Sequence, residues 1–462
     1  MRARRLCRRA LHNSSVITVV GGGFAGVEAA WAAANREQRV RLLEMRPERM
    51  TPAHKTGLLS ELVCSNSFKS KLPTSPAGQL KSEMVGLGSL VIPTGEKHSV
   101  PGGEALAVDR DLYAREITQK IDSHPLIELV RREATPEDVE TALDQGPVII
   151  ATGPLTSDVL AKWLAQQTGQ EHLYFFDAVS PTVDASTIDH EVVFAQSRYD
   201  KGGDDYLNCP FDREQYLAFV KELASAERAP LHDFEQGIKY FQGCTPIEAI
   251  AEGGEMSLAF GNFKPVGLRD PRTGKRPFAV LQLRPENRER TLYSLVGCQN
   301  RLKWGEQKRI FHMVPGLENA EFVRFGVIHR NTFIESPRAL HPHLELRTRP
   351  GLFVAGQLTG VEGYVESAAM GIYAGIEAQR RVTGSPPCPP PRQSAYGSLI
   401  AHLQDTTPRE FAPMNINWGL FPEGELNVKD KSLRKEEKLR AARTTFEAWA
   451  TTLHSPLSSL LI

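Results

Sequence analysis

No apolar run in the 462-residue chain approaches the roughly 20 residues that cross a bilayer, so a membrane-spanning protein is not expected. Its six cysteines, Cys7, Cys64, Cys209, Cys244, Cys298 and Cys388, are thinly spread and include no CxxC pair. That argues against a disulfide framework and against a bound metal such as structural zinc, and makes a reducing cytoplasm the expected compartment. Charge of either sign is not in excess, with 55 Lys and Arg facing 55 Asp and Glu. Proteins that coat nucleic acid carry a basic balance, so bulk electrostatics gives no reason to expect that partner. Met1 to Ser15 is arginine-rich but lacks the apolar stretch and small-residue cleavage site of a secretory signal. A transit peptide and a mis-assigned start codon both stay open for it. With 41% hydrophobic and 24% charged residues, the composition is that of an ordinary globular protein, and the length fits about two to four domains.

The first patterned segment reads as a βαβ unit. Val16 to Val20 is apolar and β-branched, Gly21-Gly22-Gly23-Phe24-Ala25-Gly26 follows, Val27 to Asn35 is alanine-rich, and a second strand, Val40 to Leu43, ends at Glu44. This is GxGxxG with a strand before it, a helix after it and an acid 18 positions past the last glycine. Gly21 permits the tight turn, Gly23 lets a pyrophosphate approach the backbone, and Gly26 allows close helix–strand packing. The helix N-terminus offers N–H groups and a positive dipole end, and Glu44 is placed for a ribose hydroxyl. Two later apolar runs end in glycine, Pro147 to Gly153 and Gly351 to Gln357, the second leading into a small-residue helix from about Glu366 to Arg380. The arrangement resembles flavoproteins of the glutathione-reductase-like class, in which the late strand would bring Gly356 and Gln357 to the flavin. The same residues also fit two buried strands of a doubly wound sheet.

The expected fold is therefore α/β: a Rossmann-like FAD-binding domain in two parts, 16–188 and 313–383, with an inserted α+β domain at 189–312. Residues 1–15 form a basic extension, 384–392 a proline-rich linker and 393–462 a helical tail. Within the insert, Asp212 to Glu227 reads as an amphipathic helix with Tyr216, Val220, Leu223 and Ala224 on one face and a capping box formed by Asp212 and Gln215.

Two cysteines stand in unusual settings. Cys64 is followed by three small polar residues, Ser65-Asn66-Ser67, which favour turns and caps over core packing. Cys244 lies between Gly243 and Thr245-Pro246, where a helix can begin and its dipole can lower a thiol pKa. Taken alone, each fits a buried small hydrophobe better than a nucleophile.

Longer runs change that balance. Leu42-Leu43-Glu44-Met45-Arg46-Pro47, Arg49 to His54, Val63 to Ser67, Phe241 to Glu248, Lys264 to Leu268, Asp270 to Pro277, Leu302 to Arg309, His329 to Phe333, Gly360 to Ser367 and Pro413 to Asn417 together resemble the TrmFO family. Those are folate- and FAD-dependent tRNA (uracil-5-)-methyltransferases, and the resemblance runs from about Val16 into the C-terminal tail. It implies methylation of carbon 5 of the T-loop uridine of tRNA, position 54. Methylenetetrahydrofolate would be the carbon donor, reduced FAD the methylene carrier and reductant, and NADH or NADPH the source of electrons. By the family pattern Cys244 is the better candidate for attack on carbon 6 of the uracil, and Cys64 for the base that removes the proton from carbon 5. His54, His329 and Tyr364 lie in the same runs without an assigned role.

A tRNA partner needs local positive charge. Lys264, Arg269, Arg272, Lys275 and Arg276 against Asp270 give +4 within 13 residues, and Arg301, Lys303, Lys308 and Arg309 against Glu306 give +3 within nine, with Trp304 available to stack. Arg2 to Arg9 and Lys429 to Arg443 are further basic segments. No obligate protein partner is evident. One rival reading is a flavoprotein of the glucose-inhibited-division kind, which modifies the tRNA wobble uridine, is usually longer and works with a GTPase; Pro413 to Asn417 and the shorter tail favour the first reading. Another rival is a flavin-bearing tRNA-binding protein without transfer chemistry, against which the two cysteines speak.

Overall fold

A computed structural model of the chain describes residues 15–169, 173–178, 180–200, 204–229, 245–287, 289–326, 328–407, 411–423 and 430–454. The expected βαβ unit is present as strand Ile17–Val20, helix Phe24–Ala34 and strand Val40–Glu44. Five parallel strands form one sheet in the order Leu352–Val354, Val148–Ile150, Ile17–Val20, Val40–Glu44, Ile127–Arg131. Strands Val148–Ile150 and Leu352–Val354 are wholly apolar, Ile17–Val20 has one threonine, and all three are buried along their length, as a parallel sheet covered by helices requires.

The late strand feeds helix Tyr364–Val382, which lies against Phe24–Ala34. Glycine makes that approach possible. A Cβ at Gly371 would stand 2.1 Å from the Ala25 carbonyl oxygen, and one at Gly375 2.4 Å from that of Ala29. The two backbones therefore touch directly, and both helices start at the same edge of the sheet.

A second sheet of six strands carries the insert, in the order Phe194–Ala195, Leu207–Phe211, Ala279–Pro285, Leu292–Leu295, Thr182–Asp184, Phe322–Arg324. It draws in Thr182–Asp184 and Phe322–Arg324, which lie outside the expected bounds 189–312. The antiparallel pair Leu173–Ala178 and Ile328–Phe333 runs between the two parts. Each part has its own apolar core. Helix Arg213–Ser225 has the expected capping box, with the Gln215 N–H donating to Asp212 at 2.8 Å and the Asp212 N–H to the Gln215 side chain at 3.0 Å. Its buried face is Tyr216, Phe219, Val220 and Leu223, with Ala224 only half-buried.

Residues 384–392 are without helix or strand, and helices Ala395–Asp405 and Lys431–His454 follow. Through Ala442, Phe446 and Trp449 the last helix packs on the core of the first domain. Two buried carboxylates cap helix starts in this region. Glu28 accepts from the Leu90 and Val91 N–H groups at 2.9 and 3.0 Å, and Glu83 from those of Ala395 and Tyr396 at 2.8 and 3.1 Å. Burial outweighs these hydrogen bonds and pushes both carboxyl groups up to about 7.

Alanine exceeds glycine in helix propensity by about 1 kcal/mol, so Gly371→Ala would stabilise the helix were it not for Ala25. Overpacking should instead cost a net amount of about 1–3 kcal/mol in urea unfolding; a variant more stable than the parent would refute the contact. Glu28 and Glu83 hold protons in the folded state that the unfolded chain releases near 4.5, so their contribution is present below that pH and is lost as pH rises through about 7. Thermal melts should lose this decline between pH 5 and 7, on the order of two units, in the double variant Glu28→Gln, Glu83→Gln; an unchanged slope would contradict the assignment.

Candidate active site

A cleft lined by the glycine-rich turn lies over the ends of the parallel strands, where sheets of this kind bind ligands. Gly21, Gly22, Gly23, Phe24 and Ala25 line it with Glu44, Cys64, Gly356 and Gln357. Gly26 lies beneath, where a Cβ would come within 1.7 Å of the Gly21 carbonyl oxygen. Gly21 has φ +105° and its Cβ position runs into the Ala151 backbone, so the turn itself demands glycine. Gly23 differs: its φ is −77° and a Cβ would meet nothing within 4 Å. It faces open cleft.

The helix that starts there has neither a side-chain cap nor an acidic residue in its first turn, and the same absence of a side-chain cap holds for Tyr364–Val382 behind Gly363. Two positive helix ends thus converge on one cleft, an arrangement suited to an anionic ligand. Glu44 is 4% exposed; it accepts from the Gly22 N–H at 2.7 Å and from the Arg46 Nε at 2.8 Å. Burial would raise its pKa, but the Arg46 guanidinium and these bonds hold the carboxyl below its ordinary value. It stays ionised at the edge of the cleft.

Cys64 stands at the end of the cleft near Tyr364. The Cys64 N–H donates to the Tyr364 hydroxyl at 2.7 Å, and the Tyr364 ring stacks on Phe24 with centroids 4.5 Å apart. Lys69 pairs with Glu366 at 2.6 Å, which fastens strand Ser67–Ser70 to the start of Tyr364–Val382. Glu366 also accepts from the Ile416 N–H at 3.0 Å, so the run Pro413 to Asn417 braces the same corner. His54 lines the cleft with Nδ1 2.6 Å from the Thr51 hydroxyl. His329 lies on strand Ile328–Phe333, but its side chain is not among those described. Cys244 lies outside the described residues; helix Ile247–Glu252 begins three positions later with Pro246 at its N-cap. Cys209 and Cys298 are buried in the core of the insert, where burial pushes both thiols up. Sequence reasoning gave no role to Arg46, Glu61, Arg132, Thr152 or Ser157, all of which line the cleft. Only Arg46 carried a signal, two residues beyond Glu44.

The basic clusters fare differently. In the second, Lys303 pairs with Glu227 at 2.6 Å and Arg309 with Glu222 at 2.5 Å and Glu306 at 2.8 Å, so acids from a neighbouring segment offset most of the +3. In the first, Arg272 is held by Asp270, and Lys264, Arg269, Lys275 and Arg276 remain exposed. Trp304 is 66% exposed and stacks on Phe325 at 6.1 Å.

Fold and cleft together define an α/β protein of the dinucleotide-binding kind with an inserted β-sheet domain. The family model for glucose-inhibited division protein A matches residues 16–386. Crystal structures of Aquifex aeolicus GidA share the fold, one with TM-score 0.64 at 16% identity, covering 96% of this chain and 74% of that one. The methylenetetrahydrofolate–tRNA-(uracil-5-)-methyltransferase TrmFO of Pelotomaculum thermopropionicum is 52% identical over 438 residues, 95% of this chain and 99% of that protein. The TrmFO of Geobacter sulfurreducens is 50% identical over 443 residues, with 95% and 100% covered. The chain belongs to the TrmFO family.

Gly23 supplies a test of the cleft. A Gly23→Val side chain enters open space without backbone strain, so the melting temperature of the cofactor-free protein should hold. Dinucleotide retained per chain should fall by about tenfold, or ~1.4 kcal/mol. Undiminished cofactor content would place the pyrophosphate elsewhere.

Proposed function

We propose that the protein methylates carbon 5 of the T-loop uridine of tRNA, with methylenetetrahydrofolate as carbon donor. The observation that carries this reading is identity near 50% across 95% of the chain to enzymes named for that activity. The rival wobble-uridine reading has the family-model match over residues 16–386 and a fold likeness at 16% identity to a chain of which 74% is covered; identity near 50% over 95% of the chain is the more specific match, and the rival is disfavoured.

FAD fits the cleft: Gly21 to Ala25 and the two helix ends would hold its pyrophosphate, Glu44 its ribose, and Gly356 and Gln357 would border the flavin. Bound and reduced, it would supply the methylene carrier and the electrons, drawn from NADH or NADPH. The remaining chemistry falls to side chains. Carbon 5 of uracil is a weak nucleophile, and a thiolate from Cys244 adding to carbon 6 makes it an enolate. After transfer, Cys64 takes the proton from carbon 5, and loss of the Cys244 thiolate from carbon 6 restores the ring. Tyr364 supports this role by fixing the backbone at Cys64 through its hydroxyl. The uridine leaves its stack to reach the site, as bases do in other enzymes that modify them. The exposed loop with Lys264, Arg269, Lys275 and Arg276 and the open face of Trp304 offer phosphate and stacking contacts. A cytoplasmic location and action without an obligate protein partner complete the reading. Among the described residues no helix is long and apolar enough to cross a membrane.

Purified protein given methylenetetrahydrofolate, a reduced nicotinamide and unmodified tRNA should yield 5-methyluridine on mass spectrometry of the digested nucleosides; a flavin-loaded enzyme that yields none would sink the proposal. Cys244→Ala and Cys64→Ala should each keep the yellow flavin and lose at least about 1000-fold in rate, ~4 kcal/mol of barrier. Near-parental turnover in either would discard that residue's role.

A further inference from the structure

A row of side chains crosses the sheet of the insert. Arg284 is paired with Ser294, Ser294 with Thr182, and Thr182 with Arg324. Residues directly opposite on antiparallel strands share a face, so one line spans four strands, roughly 14 Å at about 4.8 Å per strand. A guanidinium stands at each end and two small hydroxyl side chains lie between. The Arg324 Nη2 donates to the Thr182 hydroxyl at 3.0 Å, which keeps it over the row.

Arg110, at the start of helix Arg110–Asp122 in the first domain, closes on the same face. It pairs with Glu286, two residues past Arg284, and donates to the Leu62 carbonyl oxygen, two residues before Cys64. Asn66 adds a second tie, donating to the carbonyl oxygens of Val108 at 3.1 Å and Pro285 at 3.0 Å. The row is therefore roofed by the Cys64 loop, and the Cys64 thiol and Tyr364 phenol lie within electrostatic reach of Arg110 and Arg324.

Among the described residues, charge in this seam is not balanced. Glu286 is 5% exposed, and although burial acts to raise its pKa, the guanidiniums of Arg110, Arg324 and Arg284 hold it below its ordinary value, so it is ionised. Three guanidiniums thus face one carboxylate. The Nη2 of Arg110 and the Nε atoms of Arg284 and Arg324 are buried without a hydrogen-bond partner. Half-buried guanidiniums in this number, with N–H groups shut away from water, call for a further anion, and the fork geometry of arginine suits a carboxylate or a phosphate.

We propose that Arg110, Arg284 and Arg324 form a site for one oxyanion group of a substrate, held in the seam beside Cys64. Its source, though not the site, rests on the function proposed above: a glutamyl carboxylate of the folate or a phosphate of the tRNA.

The test uses flavin-loaded enzyme with its parent, Arg284→Gln, Arg324→Gln and the charge-keeping Arg284→Lys. Inorganic phosphate should raise the melting temperature of the parent and of Arg284→Lys but not of the two glutamine variants. Folate is then compared with pteroate, which lacks the glutamyl group, and a T-arm RNA hairpin is titrated across a salt series. If the anion is the carboxylate, a preference for folate of about tenfold in the parent falls to within about twofold in the glutamine variants. If it is the phosphate, the slope of log affinity against log salt falls by about one in them. Bound flavin and the melting temperature without phosphate report whether each variant folds. Folded glutamine variants that keep the phosphate response, the folate preference and the salt slope would overturn the site. A phosphate response lost in those variants, with neither folate nor RNA bound by the parent, would instead keep the site and overturn the proposed function.

Discussion

The contact between the backbones of two helices, Phe24–Ala34 and Tyr364–Val382, fixes the geometry on which everything else depends. Gly371 and Gly375 bring the second helix onto Ala25 and Ala29 with no side chain between them. Because the helices cross so closely, both N-termini reach the same cleft, and neither uses a side-chain cap there. Tyr364, the first residue of the second helix, then stacks on Phe24, the first residue of the first. Its hydroxyl receives the Cys64 N–H, so the position of the Cys64 backbone is set by the same packing.

Around that centre the chain arranges supports from distant segments. Glu366 ties the Cys64 strand and the Pro413 to Asn417 run to one helix start. The insert meets this corner through Arg110, Glu286 and Asn66 rather than through a shared apolar core.

Local pattern made the first domain legible. Val16 to Glu44 carries strand, glycines, helix and acid in one stretch, and in the structure Gly21 and Gly26 each meet a specific steric demand while Gly23 faces open cleft. The capping box at Asp212 was equally local. What escaped was set by contacts between distant segments. Thr182–Asp184 and Phe322–Arg324 are three-residue strands with little pattern of their own, so their place in the sheet of the insert was not legible. The +3 at Arg301 to Arg309 looked free because its acids, Glu222 and Glu227, lie some 75 residues away in sequence. Arg110, Arg284 and Arg324 meet only through sheet register. Zero net charge, taken at face value, pointed away from tRNA, whereas membership of the TrmFO family points toward it through exposed patches that the sum conceals.

The central claim is that the cleft beside Cys64 delivers a folate carbon to a T-loop uridine. Isotopically labelled methylene carbon in methylenetetrahydrofolate, given to the flavin-loaded enzyme with whole unmodified tRNA, traces it most directly. The account predicts label on carbon 5 of the T-loop uridine in the sequenced RNA fragments. Label at the wobble uridine, or a methylated T loop that carries none, would contradict it.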